Sequence, residues 1–82
     1  MHKVKILFFA TLRDYVGLKS VELEIPFGMT VIGVTEKLIE TYPGLDKVKD
    51  MMMAAINREY AAETEVIPEG AEIAFFPPVS GG

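Results

Sequence analysis

Two runs near the N-terminus alternate apolar and polar residues, and this period of two predicts β-strands. The first run is Lys3–Phe9 and the second is Lys19–Ile25, whose polar side should face water. The inward positions are Val4, Ile6 and Phe8 in the first run and Val21, Leu23 and Ile25 in the second. Between them, Ala10–Gly17 breaks the alternation and predicts a turn or a short helix. A connection this short favours an antiparallel hairpin.

The period changes to helical spacing over Thr30–Tyr42, where one side is apolar and the other is charged. Thr30 is a suitable N-cap, and Pro43-Gly44 supplies a stop. Gly33 lies inside this segment and disfavours a helix by about 1 kcal/mol relative to alanine. We therefore expect Gly33 to mark a close packing contact.

The C-terminal half is less regular. Met51–Asn57 is apolar and fits either a strand or the end of a helix. Turns are predicted at Asn57–Tyr60 and at Pro68–Gly70, followed by a last strand over Glu72–Phe76. The methionines at 51–53 fit either an adaptable binding surface or, as the favoured interpretation, a segment end with two methionines in the core.

This order of elements predicts an α+β domain with one main helix packed on one face of a mixed sheet. The β-grasp, the ubiquitin-like arrangement, fits best; its central pair of parallel first and last strands comes from knowledge of that fold. We expect one domain over 1–76 and an extended tail over 77–82.

Four of the five phenylalanines form two adjacent pairs, Phe8-Phe9 and Phe75-Phe76. Neighbouring strand residues point to opposite faces, so each pair places one ring on each side of the sheet. Phe8 and Phe75 share parity with core positions, whereas Phe9 (with Leu7) and Phe76 (with Ala74) should face outward. One helix covers only one face, so these rings either lie under a loop or form an apolar docking patch. We favour the patch, since soluble monomers seldom expose such clusters.

Composition excludes many kinds of chemistry. Among the 82 residues, twelve acidic side chains against eight basic ones give a net charge of −4, which disfavours binding to nucleic acid or to anionic membranes. The absence of cysteine excludes thiolate metal sites and cysteine nucleophiles. The one histidine, His2, is expected to lie at a frayed N-terminus, and the carboxylates are scattered. We expect no metal site, no bound cofactor and no catalytic side chain. No segment is long and apolar enough for a signal or a membrane span, which predicts a cytoplasmic protein.

The tail is the remaining candidate for chemistry: Pro77, Pro78, Val79, Ser80, Gly81 and Gly82. It is either a frayed end or a stalk that two prolines stiffen and two glycines finish without side chains. Such an end can enter a narrow channel of another protein. There its carboxylate could be activated as an acyl-adenylate, and a sulfur nucleophile could then displace AMP to leave a thiocarboxylate.

The octapeptide Phe75-Phe76-Pro77-Pro78-Val79-Ser80-Gly81-Gly82 resembles the end of the small, sulfur-carrying subunits of molybdopterin synthase. The opening Val4–Gly17, with Phe8-Phe9-Ala10 and Leu12-Arg13, is similar to the start of the same family. The chain departs from the family in having Ser80, where threonine is often seen, and Tyr60, where the family often has an aliphatic residue.

The resemblance implies a ubiquitin-like fold and a role in molybdenum cofactor synthesis. An activating enzyme of the E1 class would use ATP to adenylate Gly82, and a sulfurtransferase system would supply sulfur. The thiocarboxylate would then enter the large subunit of a heterotetrameric synthase and donate sulfur to cyclic pyranopterin monophosphate. Phe9, Phe76, Leu7 and Tyr60 would contact the partners.

Three other functions remain open. The first is a sulfur carrier for thiazole, cysteine or tRNA thiolation, which the double proline disfavours. The second is a ubiquitin-like modifier that is joined to lysines through Gly82. The third is an interaction module whose tail has no role.

Overall fold

A computed structural model describes residues 1–77 of the chain. Its strands and helices follow in the order β1 (His2–Phe8), α1 (Leu12–Val16), β2 (Ser20–Ile25), α2 (Val31–Thr41), β3 (Met53–Ile56), β4 (Glu59–Ala61) and β5 (Glu72–Phe76). Two 3₁₀ turns, Pro43–Lys47 and Lys49–Met51, join α2 to β3.

The strands form one mixed sheet in the order β2-β1-β5-β3-β4. β1 and β5 pair in parallel at its centre, with Phe8 beside Phe75, and the other neighbouring strands are antiparallel. The predicted hairpin of β1 and β2 and the predicted parallel central pair are both confirmed. Because α2 packs on one face of this sheet, the fold is a ubiquitin-like β-grasp, as predicted.

Helix α2 begins where the sequence predicts. The Thr30 hydroxyl accepts a hydrogen bond from the Gly33 backbone N–H at 3.3 Å, which satisfies one of the free donors of the first turn. The N–H groups of Val31 and Ile32 donate to carbonyls of the loop after β4, at 3.0 and 2.9 Å. A Cβ added at Gly33 would lie 2.9 Å from Cγ of Met29, so the expected close contact is confirmed.

The core lies between the sheet and α2. Its buried apolar side chains include the inward rows of β1 and β5 and the apolar side of α2: Val4, Ile6, Phe8, Ile73, Phe75, Val31, Val34 and Leu38. Leu12, Leu45 and Ile67 close its margins. Phe8 and Phe75 are each 1% exposed and their rings stack with centroids 6.4 Å apart. The inward orientation predicted for both rings is confirmed.

The expectation for His2 is wrong. His2 is the first residue of β1, pairs with Ile25 of β2 and is only 7% exposed. The centroid of its ring lies 4.9 Å from that of the Phe27 ring. Neither ring nitrogen has a hydrogen-bond partner within residues 1–77. Alternation from Lys3 onward could not show that β1 begins one residue earlier.

Two further expectations need correction. Strand β1 ends at Phe8 rather than Phe9, because the chain turns at Ala10, which has a φ of 52°. In the methionine run, Met51 and Met53 are exposed and only Met52 packs against the core, so the expectation of two core methionines is wrong.

Candidate functional site

The face of the sheet opposite α2 carries an apolar surface built from four strands. One row across the sheet runs from Leu7 through Ala74 and Ala55 to Tyr60, and the next pairs Phe76 with Met53. Phe9 follows Leu7 with the same parity, and its N–H donates to the Phe75 carbonyl at 3.1 Å. We call this surface the outer patch: Leu7, Phe9, Met53, Ala55, Tyr60, Ala74 and Phe76.

The outer patch is open to solvent. Tyr60 is 71% exposed and Phe9 is 40% exposed, while Leu7, Ala74 and Phe76 are half-buried by their neighbours. No segment within residues 1–77 therefore folds over it, and of the two alternatives raised by the sequence the structure favours exposure over a covering loop. Tyr60 and Phe76 meet edge to face with centroids 5.6 Å apart, the geometry that aromatic quadrupoles prefer.

All four residues predicted to bind partners therefore lie on one continuous surface. Tyr60 belongs to β4, a strand that the sequence analysis did not identify. Its position follows from the β3–β4 hairpin, whose two loop residues Asn57 and Arg58 have φ values of 49° and 73°. A two-residue turn with positive φ values connects antiparallel strands in a tight hairpin. In this hairpin Tyr60 pairs with Ala55.

A corner after β1 adds a charged group to the outer patch. The left-handed Ala10 reverses the chain into α1, which brings Arg13 back over Phe9. The guanidinium carbon lies 5.9 Å from the Phe9 ring centroid, within the range of cation–π attraction. Nε of Arg13 donates to the Phe8 carbonyl at 3.0 Å. In the sequence, Arg13 belongs to the segment that carries the family resemblance, and nothing there indicates a role for it.

The far half of the same face is polar. There Lys3 pairs with Glu24, and Lys5 lies between Glu22 and Glu72. The face is thus divided along the strands: the charged half lies at the start of β1 and β5, and the outer patch lies at their ends. The chain leaves β5 at the patch end, where Pro77 follows Phe76 directly.

The tail residues Pro78, Val79, Ser80, Gly81 and Gly82 lie outside the described residues. The predicted division between a domain over 1–76 and a tail over 77–82 stays a prediction, as do the roles assigned to Pro77 and the five residues after it. The structure shows that β5 ends at Phe76.

A groove of about 290 Å³ opens beside the outer patch, between α2 and the β3–β4 hairpin. Met53 and Tyr60 belong to both the groove and the patch. Lys49 lines the groove, and its Nζ forms an ion pair with Oδ1 of Asp46 at 3.2 Å. The hydrogen bond and charge of Asp46 raise the pKa of Lys49, but this pair is exposed and contributes little to stability.

No group of three or more histidine or carboxylate side chains that could hold a metal ion occurs within residues 1–77. No helix among these residues has the length and apolar character needed to cross a bilayer. What the geometry offers is an apolar surface with one cation beside it, located where the tail begins.

Comparison with known proteins agrees with this geometry. Residues 6–82 match the model of the ThiS family. A molybdopterin synthase sulfur carrier subunit from Arabidopsis thaliana is 31% identical over 80 residues, covering 98% of this chain and 83% of that protein.

Solved structures share the fold. The crystal structure of SAMP1 from Haloferax volcanii, 31% identical, superposes with a TM-score of 0.84 and covers 98% of this chain and 99% of its own. One chain of the complex between subunits 1 and 2 of molybdopterin-converting factor from Helicobacter pylori superposes with a TM-score of 0.68. It covers 98% of this chain and 99% of its own, and at 17% identity it is evidence for the fold alone.

Proposed function

The chain belongs to the ThiS family and is related over almost its whole length to molybdopterin synthase sulfur carrier subunits, and we propose that it carries sulfur for molybdopterin synthesis. The observation that carries the proposal is the outer patch, an exposed apolar surface at the end of the sheet where Phe76 leads into the tail. A protein that must deliver its C-terminus to another active site needs a docking surface beside the base of that terminus.

In this proposal the reactive atom lies on the terminal carboxyl of Gly82. An activating enzyme of the E1 class transfers AMP from ATP to that carboxylate, with release of pyrophosphate. A persulfide sulfur from a sulfurtransferase system then displaces AMP to give an acyl disulfide. A thiol attacks the sulfurtransferase sulfur of that disulfide, which breaks the S–S bond, releases the thiocarboxylate and forms a new disulfide. The large synthase subunit binds this end, and the thiocarboxylate donates its sulfur to cyclic pyranopterin monophosphate.

In this proposal the domain binds the partners and the tail reacts, so no side chain of the domain is required to take part in bond chemistry. The outer patch supplies the binding area for both partners in turn, and the tail supplies the reach. Six residues from Pro77 to Gly82 span at most about 20 Å when extended. Docking through the outer patch therefore fixes the position of the base of the tail on the partner. The length of the tail limits how far the Gly82 carboxyl can lie from that base.

The test is to remove Gly82 and measure conversion of cyclic pyranopterin monophosphate to molybdopterin by the reconstituted synthase and activating enzyme. One residue spans about 3.3–3.6 Å, and a misplacement of about 1 Å can cost about 100-fold in rate. We expect the shortened chain to lose sulfur transfer while its melting temperature and its affinity for the large subunit stay unchanged.

Phe76→Ala is the matched control, because it leaves the tail intact and truncates a ring of the outer patch. It should lose affinity for the large subunit. Normal turnover by the chain without Gly82 would refute the carrier proposal. Mass spectrometry that found Gly-Gly remnants on lysines, with no thiocarboxylate at Gly82, would instead favour a protein modifier.

A further inference from the structure

We propose that Arg13 is the charged contact of the docking surface and that it binds a carboxylate of the large subunit, beside the point where the tail leaves the sheet. This inference rests on the proposed function and deepens it. It identifies a charged group beside the apolar outer patch that would make the large subunit bind in a single orientation.

The first argument is that Arg13 is held in place before any partner arrives. Its Nε is fixed by the 3.0 Å hydrogen bond to the Phe8 carbonyl, and its guanidinium lies over the Phe9 ring. An arginine that is already ordered loses less conformational freedom on binding than one that moves freely.

The terminal nitrogens of the Arg13 guanidinium have no hydrogen-bond partner among residues 1–77. Arginine has five N–H donors, and within residues 1–77 only the Nε donor is engaged. Within residues 1–77 the single ion pair is that of Lys49 with Asp46, so no carboxylate of this part of the chain neutralises Arg13. The terminal N–H groups remain for a forked acceptor, which on a protein surface is an aspartate or glutamate carboxylate.

The position of the Arg13 charge favours one orientation of an acidic partner. The chain carries a net charge of −4 and would repel most acidic surfaces. Arg13 places a positive charge at the patch end of the face, whereas the lysines of that face, Lys3 and Lys5, lie in its other half beside Glu24 and Glu22. A partner that sets a carboxylate at the patch end is attracted in one orientation and repelled in the reversed one.

The experiment measures affinity for the large subunit with four chains: the wild type, Arg13→Glu, Arg13→Lys and Lys37→Glu. Lys37 lies on α2, on the other side of the sheet, and its replacement changes the net charge by the same amount. Truncating a desolvated charge pair acts mainly on dissociation. We expect Arg13→Glu to weaken binding by about tenfold or more, Arg13→Lys to weaken it less, and Lys37→Glu to leave it unchanged.

The difference between the wild type and Arg13→Glu should shrink as salt is raised, because ions screen the pair. Equal affinities for Arg13→Glu and Lys37→Glu, with melting curves like that of the wild type, would overturn the inference. If the wild type itself fails to bind the large subunit, the proposed function fails.

A measurement on the free protein tests the first argument without any partner. In Arg13→Ala the ring resonances of Phe9 should shift toward those of an exposed phenylalanine, while those of Phe75 stay in place. Unchanged Phe9 resonances would show that Arg13 does not hold the ring, and the inference would then be wrong even if the carrier proposal stands.

Discussion

Phe75 and Phe76 are neighbours in sequence, and replacing each by alanine should have opposite consequences. Phe75 is 1% exposed and stacks on Phe8 in the centre of the core, and removing a fully buried ring costs about 3–5 kcal/mol. In a domain of this size 1 kcal/mol lowers the melting temperature by about 4–8 °C, so Phe75→Ala should melt at least about 12 °C lower than the wild type. This loss is a large part of a typical stability of about 5–15 kcal/mol.

Phe76 is half-buried and its main partner is the exposed Tyr60 ring. An aromatic pair of this kind contributes about 0.5–1.5 kcal/mol beyond its buried area, and half-burial of the ring adds about 1 kcal/mol. Phe76→Ala should therefore lower the free energy of unfolding by about 1.5–2.5 kcal/mol, less than Phe75→Ala does. Urea titration of both variants measures the two values, and a double-mutant cycle of Phe76→Ala with Tyr60→Ala measures the coupling. For association with the large subunit the order reverses, because a central interface aromatic costs about 2 kcal/mol or more, about 30-fold in affinity.

The assignment of faces is refuted if the two variants lose the same stability. It is also refuted if Phe75→Ala, studied at a temperature where it is folded, weakens association as much as Phe76→Ala does. Ala74→Ser serves as a further control, because it is a small change on the outer row.

Two further substitutions test local features of the fold by chemical denaturation. Arg58 has a φ of 73° in the two-residue turn between β3 and β4, a conformation that costs a non-glycine residue about 1–2 kcal/mol. Glycine avoids this steric cost but loses more backbone entropy on folding, so Arg58→Gly should stabilise the protein by up to about 1 kcal/mol. A loss of stability would contradict the turn assignment. His2 is buried without a hydrogen-bond partner in residues 1–77, and an unsatisfied buried polar group costs about 1–3 kcal/mol. His2→Phe should therefore raise the midpoint of unfolding, and a lowered midpoint would show that the imidazole is satisfied in solution.

The elements with strong periodicity were predictable. Strands β1, β2 and β5 and helix α2 were located to within one or two residues, because alternation and the Thr30 cap are local signals. The hairpin turn at Asn57 was also readable from its composition. These features need no knowledge of what lies across the sheet.

The features that were missed have different causes. β4 is three residues long, too short to show alternation, although the turn at Asn57 and Arg58 that folds it onto β3 is local. The burial of His2 depends on tertiary packing, since its ring lies beside Phe27, which is far away in sequence.

The candidate site was predictable in part. Parity assigned Phe9 and Phe76 to the outward face, since faces alternate along a strand. The position of Arg13 over the Phe9 ring was not predictable, because it depends on the left-handed conformation of Ala10 between β1 and α1. No composition or spacing signals such a conformation at an alanine.

β5 joins what would otherwise be two separate hairpins, β1–β2 on one side and β3–β4 on the other. The pairing of β5 with β1 closes a loop that contains most of the described residues, and closing a loop of that length costs entropy. Without β5, the two hairpins would be at best marginally stable, as isolated two-stranded hairpins are in water. The outer patch draws its residues from β1, β3, β4 and β5, so it assembles only when β5 inserts. A partner that recognises the outer patch would therefore bind only chains in which β5 has paired with β1 and β3. Incompletely folded chains would lack the binding surface.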